Sequence, residues 1–144
     1  MSAHKERLYF LLQVAAHRLK TAADNDLIDA AGLSTTQVAV LNLIASSENV
    51  KQRDLARRLR QNESAITAMV ARLMKADLVT RRRSETDART WLLDLTPNGK
   101  KTLKRAEKPF QEINARLDQT LGKKGVATLA AELTAVTEEF SKGE

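Results

Sequence analysis

Apolar residues recur at three-and-four spacing through residues 3–25, at Leu8, Leu11, Leu12, Ala15, Leu19 and Ala22. That period predicts an amphipathic first helix. Gly32 breaks the chain, and Ser34 is the expected N-cap of a second helix with Val38, Leu41, Ile44 and Ala45 as its stripe. Ser46 to Asn49 read as a loop. A short third helix is expected over residues 52–60, with Leu55, Ala56 and Leu59 inward, and Gln61-Asn62 as the turn after it. A fourth follows over residues 63–76 on Ile66, Val70 and Leu73, with Asn62 as N-cap and Glu63 placed favourably against the helix dipole. After Leu78 the period changes to two. Residues 78–82 and 90–95 predict a pair of strands, joined by the polar, turn-rich segment 83–89. Thr96-Pro97 then opens a fifth helix, with Pro109 expected to kink it and Gly122 to end it. A sixth, over residues 125–141, carries Val126, Leu129, Leu133, Val136 and Phe140 at heptad-like spacing.

Charge sharpens this outline. The 144-residue chain has a net charge of +6. Residues 51–89 hold 11 basic and 5 acidic side chains, whereas the remainder is balanced at 13 of each. The whole excess therefore lies in one central segment, where arginine outnumbers lysine nine to two. Such a concentration is the footprint of a polyanion partner. Cysteine is absent and histidine is limited to His4 and His17. That excludes disulfides and thiol chemistry in this chain, and no metal site or cofactor is expected. The apolar stretch at residues 8–16 continues into His17-Arg18-Leu19-Lys20, so it reads as helix rather than as a signal segment. No run reaches the roughly 18 residues of a membrane span, and a cytoplasmic location without membrane contact is expected.

Two helices joined by a short turn and followed at once by a basic hairpin predict a winged helix-turn-helix. The outward face of the fourth helix, Ser64, Ala65, Thr67 and Ala68, is small and hydroxylated and suits close approach to base edges in a major groove. Arg72, two turns along, and Arg57 and Arg58 on the third helix suit phosphate. Arg81, Arg82 and Arg83 line one strand of the hairpin, and Arg89 at its tip suits a narrow, electronegative minor groove. Asp87 is read as orienting the tip, since a free carboxylate would be repelled by phosphate.

The run Asp87-Ala88-Arg89-Thr90-Trp91-Leu92-Leu93-Asp94-Leu95-Thr96-Pro97-Asn98-Gly99 resembles the wing signature of the multiple antibiotic resistance regulator (MarR) family. Asp54-Leu55-Ala56 with Leu59 resembles the family's first motif helix, and Ser64-Ala65-Ile66-Thr67 with Arg72-Leu73 its recognition helix. The chain departs from the family pattern at Lys51, where a Thr or Ser cap is common, at Arg60-Gln61, where a Gly-hydrophobic turn is frequent, and at Ala68, where a basic residue is often found. The resemblance implies a homodimer on a pseudo-palindromic double-stranded DNA operator. It also implies release by a small apolar or phenolic effector.

The stripes of the first and last helices point to a dimer independently. Leu8, Leu11, Leu12, Leu129, Leu133, Val136 and Phe140 exceed what a helix-turn-helix core of this size can cover. The expected architecture is mainly α with a β wing: six helices and a two-stranded hairpin in an intertwined homodimer. The DNA-binding lobe falls near residues 34–96, and the dimerisation helices near 1–30 and 97–144. No nucleophile motif, phosphate loop or metal spacing suggests an enzyme. The function expected is that of a sequence-specific, ligand-responsive repressor. The competing reading is an architectural or protein–protein winged helix without sequence preference, separated from the first by the ratio of specific to nonspecific affinity.

Overall fold

The computed structural model describes residues 2–142, with side chains described from Arg7 onward. The elements are α1 (Ser2–Ala31), α2 (Thr35–Ser46), β1 (Val50–Lys51), α3 (Gln52–Leu59), α4 (Glu63–Lys75), β2 (Val79–Arg83), β3 (Trp91–Leu95) and α5 (Pro97–Ser141). Five helical segments stand where six were expected. Residues 97–141 form one segment, with Gly122 non-helical at φ 73°, ψ 164° inside it. Pro109 lies within the helix and is buried. Two compact units divide between Pro109 and Phe110.

The core of the first unit draws on almost every element. Leu27 of α1, Val40 and Leu41 of α2, Leu55 of α3, Ile66, Val70 and Leu73 of α4 and Leu93 of β3 are nearly or wholly excluded from solvent. Burying such side chains contributes on the order of 2 kcal/mol each. Helix α1 runs six residues past the expected end at Asn25. The extension places Leu27 in the core and lets Gly32, at φ 69°, stop the helix. It also carries a joint: Asp24 Oδ1 accepts a hydrogen bond from the backbone N–H of Thr35, at the start of α2, over 2.6 Å. Ser34 caps α2 in a full capping box, its hydroxyl accepting from the Gln37 N–H while the Gln37 amide oxygen accepts from the Ser34 N–H.

The sheet has three strands rather than two, in the order β1-β3-β2, all antiparallel. The two-residue β1 pairs Val50 with Leu93 and Lys51 with Leu92. It is too short to show a period, which is why the alternation pattern misses it. In the hairpin, Val79 faces Leu95 and Arg83 faces Trp91.

Beyond the end of α4 and its C-cap Ala76, Asp77 takes φ 59°. The Asp77 N–H donates to the Met74 carbonyl, and the Leu78 N–H to the Leu73 carbonyl, the pairing of a Schellman motif. The end of β3 folds back onto this point. The Thr96 N–H donates to the Leu78 carbonyl over 3.1 Å and the Thr96 hydroxyl to the Asp77 carbonyl over 2.6 Å. The same hydroxyl accepts from the Gly99 N–H over 2.8 Å, capping α5. Gly99 is pressed against this joint: a Cβ added there would stand 2.0 Å from the Leu78 carbonyl oxygen.

In the second unit, the described residues after Pro109 are half-buried or exposed, and none is buried within the single chain.

Two predictions follow from these joints. Helix propensity alone would make Gly99→Ala stabilising by about 0.5–1 kcal/mol. The backbone clash reverses that sign, and the variant should lose about 2 kcal/mol or more in chemical denaturation. An unchanged or raised midpoint would show that α5 is not held at this distance. The Thr35 N–H, then the Lys20 ammonium, depress the Asp24 carboxyl from 3.8 to about 2. A depressed carboxyl contributes stability above its unfolded value, near pH 4, and loses that contribution as pH falls towards 2. Asp24→Asn should therefore cost about 1–2 kcal/mol at pH 7, and the gap to wild type should close between pH 4 and pH 2. A gap that does not change with pH would rule out the carboxylate as its source.

Candidate nucleic-acid interface

The turn between α3 and α4 sets the geometry of the candidate interface. Arg60 takes a left-handed conformation at φ 53°, ψ 40°, where glycine is the easier residue. Its N–H donates to the Arg57 carbonyl, and the Gln61 N–H reaches the Ala56 carbonyl, a second Schellman closure. Asn62 then caps α4, its side-chain oxygen accepting from the Ala65 N–H over 2.8 Å and from the Ser64 hydroxyl over 2.9 Å. Lys51 precedes α3 without making a side-chain cap.

Helix α4 buries Ile66, Val70 and Leu73 and leaves Ser64, Ala65, Thr67, Ala68 and Arg72 exposed. The hydroxyl of Ser64 is partly committed to the cap through Asn62, whereas Thr67 stands further along the open face. On α3, Arg57 and Arg58 are exposed, with Arg57 3.4 Å from Asp54.

The three wing arginines separate by strand alternation. Arg81 and Arg83 share a face with Trp91, and their guanidinium carbons lie 4.2 and 4.0 Å from its ring centroid. Arg82 points to the other face, where it donates to Asp94 over 3.0 Å and to the Asn49 side-chain oxygen over 2.8 Å.

Asp87 organises the tip. One carboxylate oxygen accepts from the Arg89 N–H over 3.0 Å, the other from the Thr90 hydroxyl over 2.9 Å. The Arg89 N–H, then the Thr90 hydroxyl, hold the Asp87 carboxyl below the ordinary carboxylate range, with Arg53 and Lys51 adding to the effect. The Asp87 carbonyl accepts from the Thr90 N–H, and the Ser84 N–H donates to the Thr90 carbonyl, closing the loop. Arg89 is left exposed at the turn.

A cleft of about 410 Å³ lies between α3, α4 and the wing, lined by Gln52, Arg53, Glu63, Thr67, Asp87, Arg89 and Trp91 among others. The structure thus brings Thr67 of α4 and Arg89 of the wing to one concavity. Arg53 and Trp91 join them there, although the sequence pattern did not single them out. Their signal was present in part: Arg53 opens the basic α3, and Trp91 is the only tryptophan of the chain. The side-chain oxygen of Gln52 is buried in the same region with no protein hydrogen-bond partner. Of the apolar positions read as a dimer face, Leu8 and Leu11 are more than half exposed and Leu12 is half-buried. Leu129 is also half-buried, Leu133 and Val136 are each 40% exposed, and Phe140 is 80% exposed. Tyr9, Phe10 and Val14 add to the exposed apolar surface of α1.

Helix, turn, helix and a strand-built wing on one lobe define a winged helix-turn-helix protein. A model described as "MarR family" matches residues 31–90, from the end of α1 to the tip of the wing. The chain is 30% identical over 95 residues to the organic hydroperoxide resistance transcriptional regulator of Bacillus subtilis (strain 168), an alignment covering 66% of this chain and 64% of that protein. It therefore spans just under two thirds of that relative's length. Among solved structures, the transcriptional repressor CouR bound to a 23-mer DNA duplex superposes with a TM-score of 0.84 at 28% identity, covering 92% of this chain and 94% of that one. The S. aureus MepR–DNA complex gives a TM-score of 0.81 at 20% identity over 91% and 96%, a likeness of fold. Residues 31–90 thus match the MarR family, and the chain as a whole is similar in fold to these relatives. The named relatives include a transcriptional regulator and a transcriptional repressor bound to DNA, not enzymes.

Proposed function

We propose that this chain is a homodimeric, sequence-specific DNA-binding transcriptional regulator, a repressor that acts in the cytoplasm and responds to a small apolar or phenolic effector. One observation carries the reading. The outer face of α4 and the tip of the wing stand exposed on the same lobe, and Ser64, Ala65, Thr67, Ala68, Arg72 and Arg89 have no part in the core. A face of small residues admits close approach to a major groove, and an exposed arginine on an ordered tip suits the neighbouring minor groove. Arg57, Arg58 and Arg72 are assigned to phosphate. Two relatives of the same fold were solved on DNA, which supports the partner. No single helix among the described residues is long and apolar enough to cross a membrane. Whatever the effector is, a thiol of this chain does not sense it, because the chain has no cysteine.

The dimer reading is supported by apolar surface that a single chain leaves uncovered. Leu8, Leu11 and Phe10 on α1, and Leu133, Val136 and Phe140 on α5, are exposed, and the second unit has no buried residue of its own among those described. Exposed apolar side chains of this number on each unit mark an interface. A twofold pair would present two α4 helices one DNA turn apart, about 34 Å.

The test is fluorescence anisotropy across a salt series, comparing a duplex from upstream of the protein's own gene with a scrambled one, followed by selection from random sequences. A preference of about a thousandfold or more, with one dimer per site, is expected. Equal, steeply salt-dependent affinity for every sequence, including the selected ones, would instead assign a nonspecific architectural role. Arg89→Ala should weaken specific binding about tenfold with little change in melting temperature, the scale of one good groove contact; undiminished affinity would remove the wing from the interface. Sedimentation of the double variant Leu133→Asp, Val136→Asp should show monomer at micromolar concentration. A persistent dimer would place the interface elsewhere.

A further inference from the structure

The wing contains one tryptophan and four arginines that do not have equivalent surroundings. Arg83 and Trp91 are cross-strand partners in the hairpin register, and Arg81 lies two residues away on the same face. Both guanidinium groups sit over the one indole, at 4.0 and 4.2 Å from its centroid. Arg83 is held a second time: its guanidinium donates to the carbonyl of Ala88, the residue immediately before Arg89. Arg81 lines a small hollow together with Thr67, Ala71 and Met74 of α4. One indole therefore connects the tip of the wing, through Arg83, to the flank of α4, through Arg81. A guanidinium stacked on a ring and donating to a backbone carbonyl has lost much of its orientational freedom. Arg89, by contrast, makes no side-chain hydrogen bond or ion pair among the described residues, while its backbone N–H is fixed by Asp87.

We propose that Trp91 and Arg83 are positioning residues for Arg89: the indole holds the Arg83 guanidinium, and that guanidinium holds the Ala88 carbonyl, so the loop presents Arg89 at a fixed height and direction beside α4. The inference deepens the DNA-binding reading and rests on it for its functional consequence. Its structural content stands apart from that reading. Asp87 fixes the loop from within, through the Arg89 N–H and the Thr90 hydroxyl, and the Trp91–Arg83 pair fixes it from the strands. Each stack on a partly exposed ring is a modest interaction, so the brace works by ordering a loop that is already closed rather than by holding the fold together.

The test is a double-mutant cycle in the full chain, read by anisotropy on the selected specific duplex. Trp91→Leu should weaken binding about fivefold to tenfold, and Trp91→Phe, which restores a ring, by about twofold. In the Arg89→Ala background, the effect of Trp91→Leu should shrink to less than about twofold, because the residue it positions is gone. Additive losses would show that Trp91 acts on DNA independently of Arg89 and would overturn the proposal. Amide hydrogen exchange without DNA is the second readout. In Trp91→Leu and in Arg83→Lys the Arg89 and Thr90 amides should exchange about tenfold faster or more, while the amides of α4 keep their protection. Unchanged protection at Arg89 and Thr90 would overturn the brace whether or not the protein binds DNA. Absence of specific DNA binding by wild type, with the exchange effect intact, would overturn the functional reading and leave the brace standing.

Discussion

The side chain and backbone of Thr96 occupy the point where the first unit is tied together. Helix α4 ends at Lys75 and its capping turn closes at Asp77, the hairpin begins at Val79 and ends at Leu95, and the long helix begins at Pro97. All these ends meet in the hydrogen bonds that Thr96 makes to the Leu78 and Asp77 carbonyls and receives from Gly99. Each bond is worth only about 1 kcal/mol net. Their effect is geometric: they fix the angle between α4 and the wing, which is the angle any groove-binding use of this lobe requires. Gly99 is part of the same constraint, because only a residue without a side chain lets α5 start so close to the Leu78 carbonyl.

The organisation around that joint separates structural from available side chains. On α4, one face is buried completely and the other is left to small residues. On the wing, strand alternation sends Arg82 to a salt bridge with Asp94 and an amide contact with Asn49, away from Trp91. The basic segment is therefore not a uniform patch. Some of its charge serves to shape the lobe, as in Arg82 and Arg83. Some stands exposed on the surface, as in Arg58, Arg72 and Arg89.

Most of the fold was legible in the sequence because its signals are local. The capping residues Ser34, Asn62 and Thr96, the helical stripes and the period-two run at Trp91, Leu93 and Leu95 each declare an element within a few residues. What escaped is non-local or too short. Strand β1 has two residues and exists only because Leu92 and Leu93 are there to pair with it. The last turns of α1 are polar in part, and their helicity depends on Leu27 reaching the core and Asp24 reaching Thr35. For the site, residue type and position on α4 marked the exposed face. The placement of Trp91 under two arginines could not be read from either strand alone, since it depends on the register between them. The division of three consecutive arginines between two faces follows from the pleat, a rule the sequence does contain, but their partners Asp94 and Asn49 are 12 and 33 residues away from Arg82.

Gly122 has a consequence of a different kind. Its φ of 73° with ψ of 164° belongs to a region that residues with side chains rarely enter, yet a Cβ placed there would meet nothing within 4 Å. The break in α5 is thus maintained by backbone preference and not by crowding. A methyl group at this position would fit without collision and would make the uninterrupted helix the easier path for the chain. A side chain at this one position would therefore oppose the bend through backbone preference alone, with no collision involved.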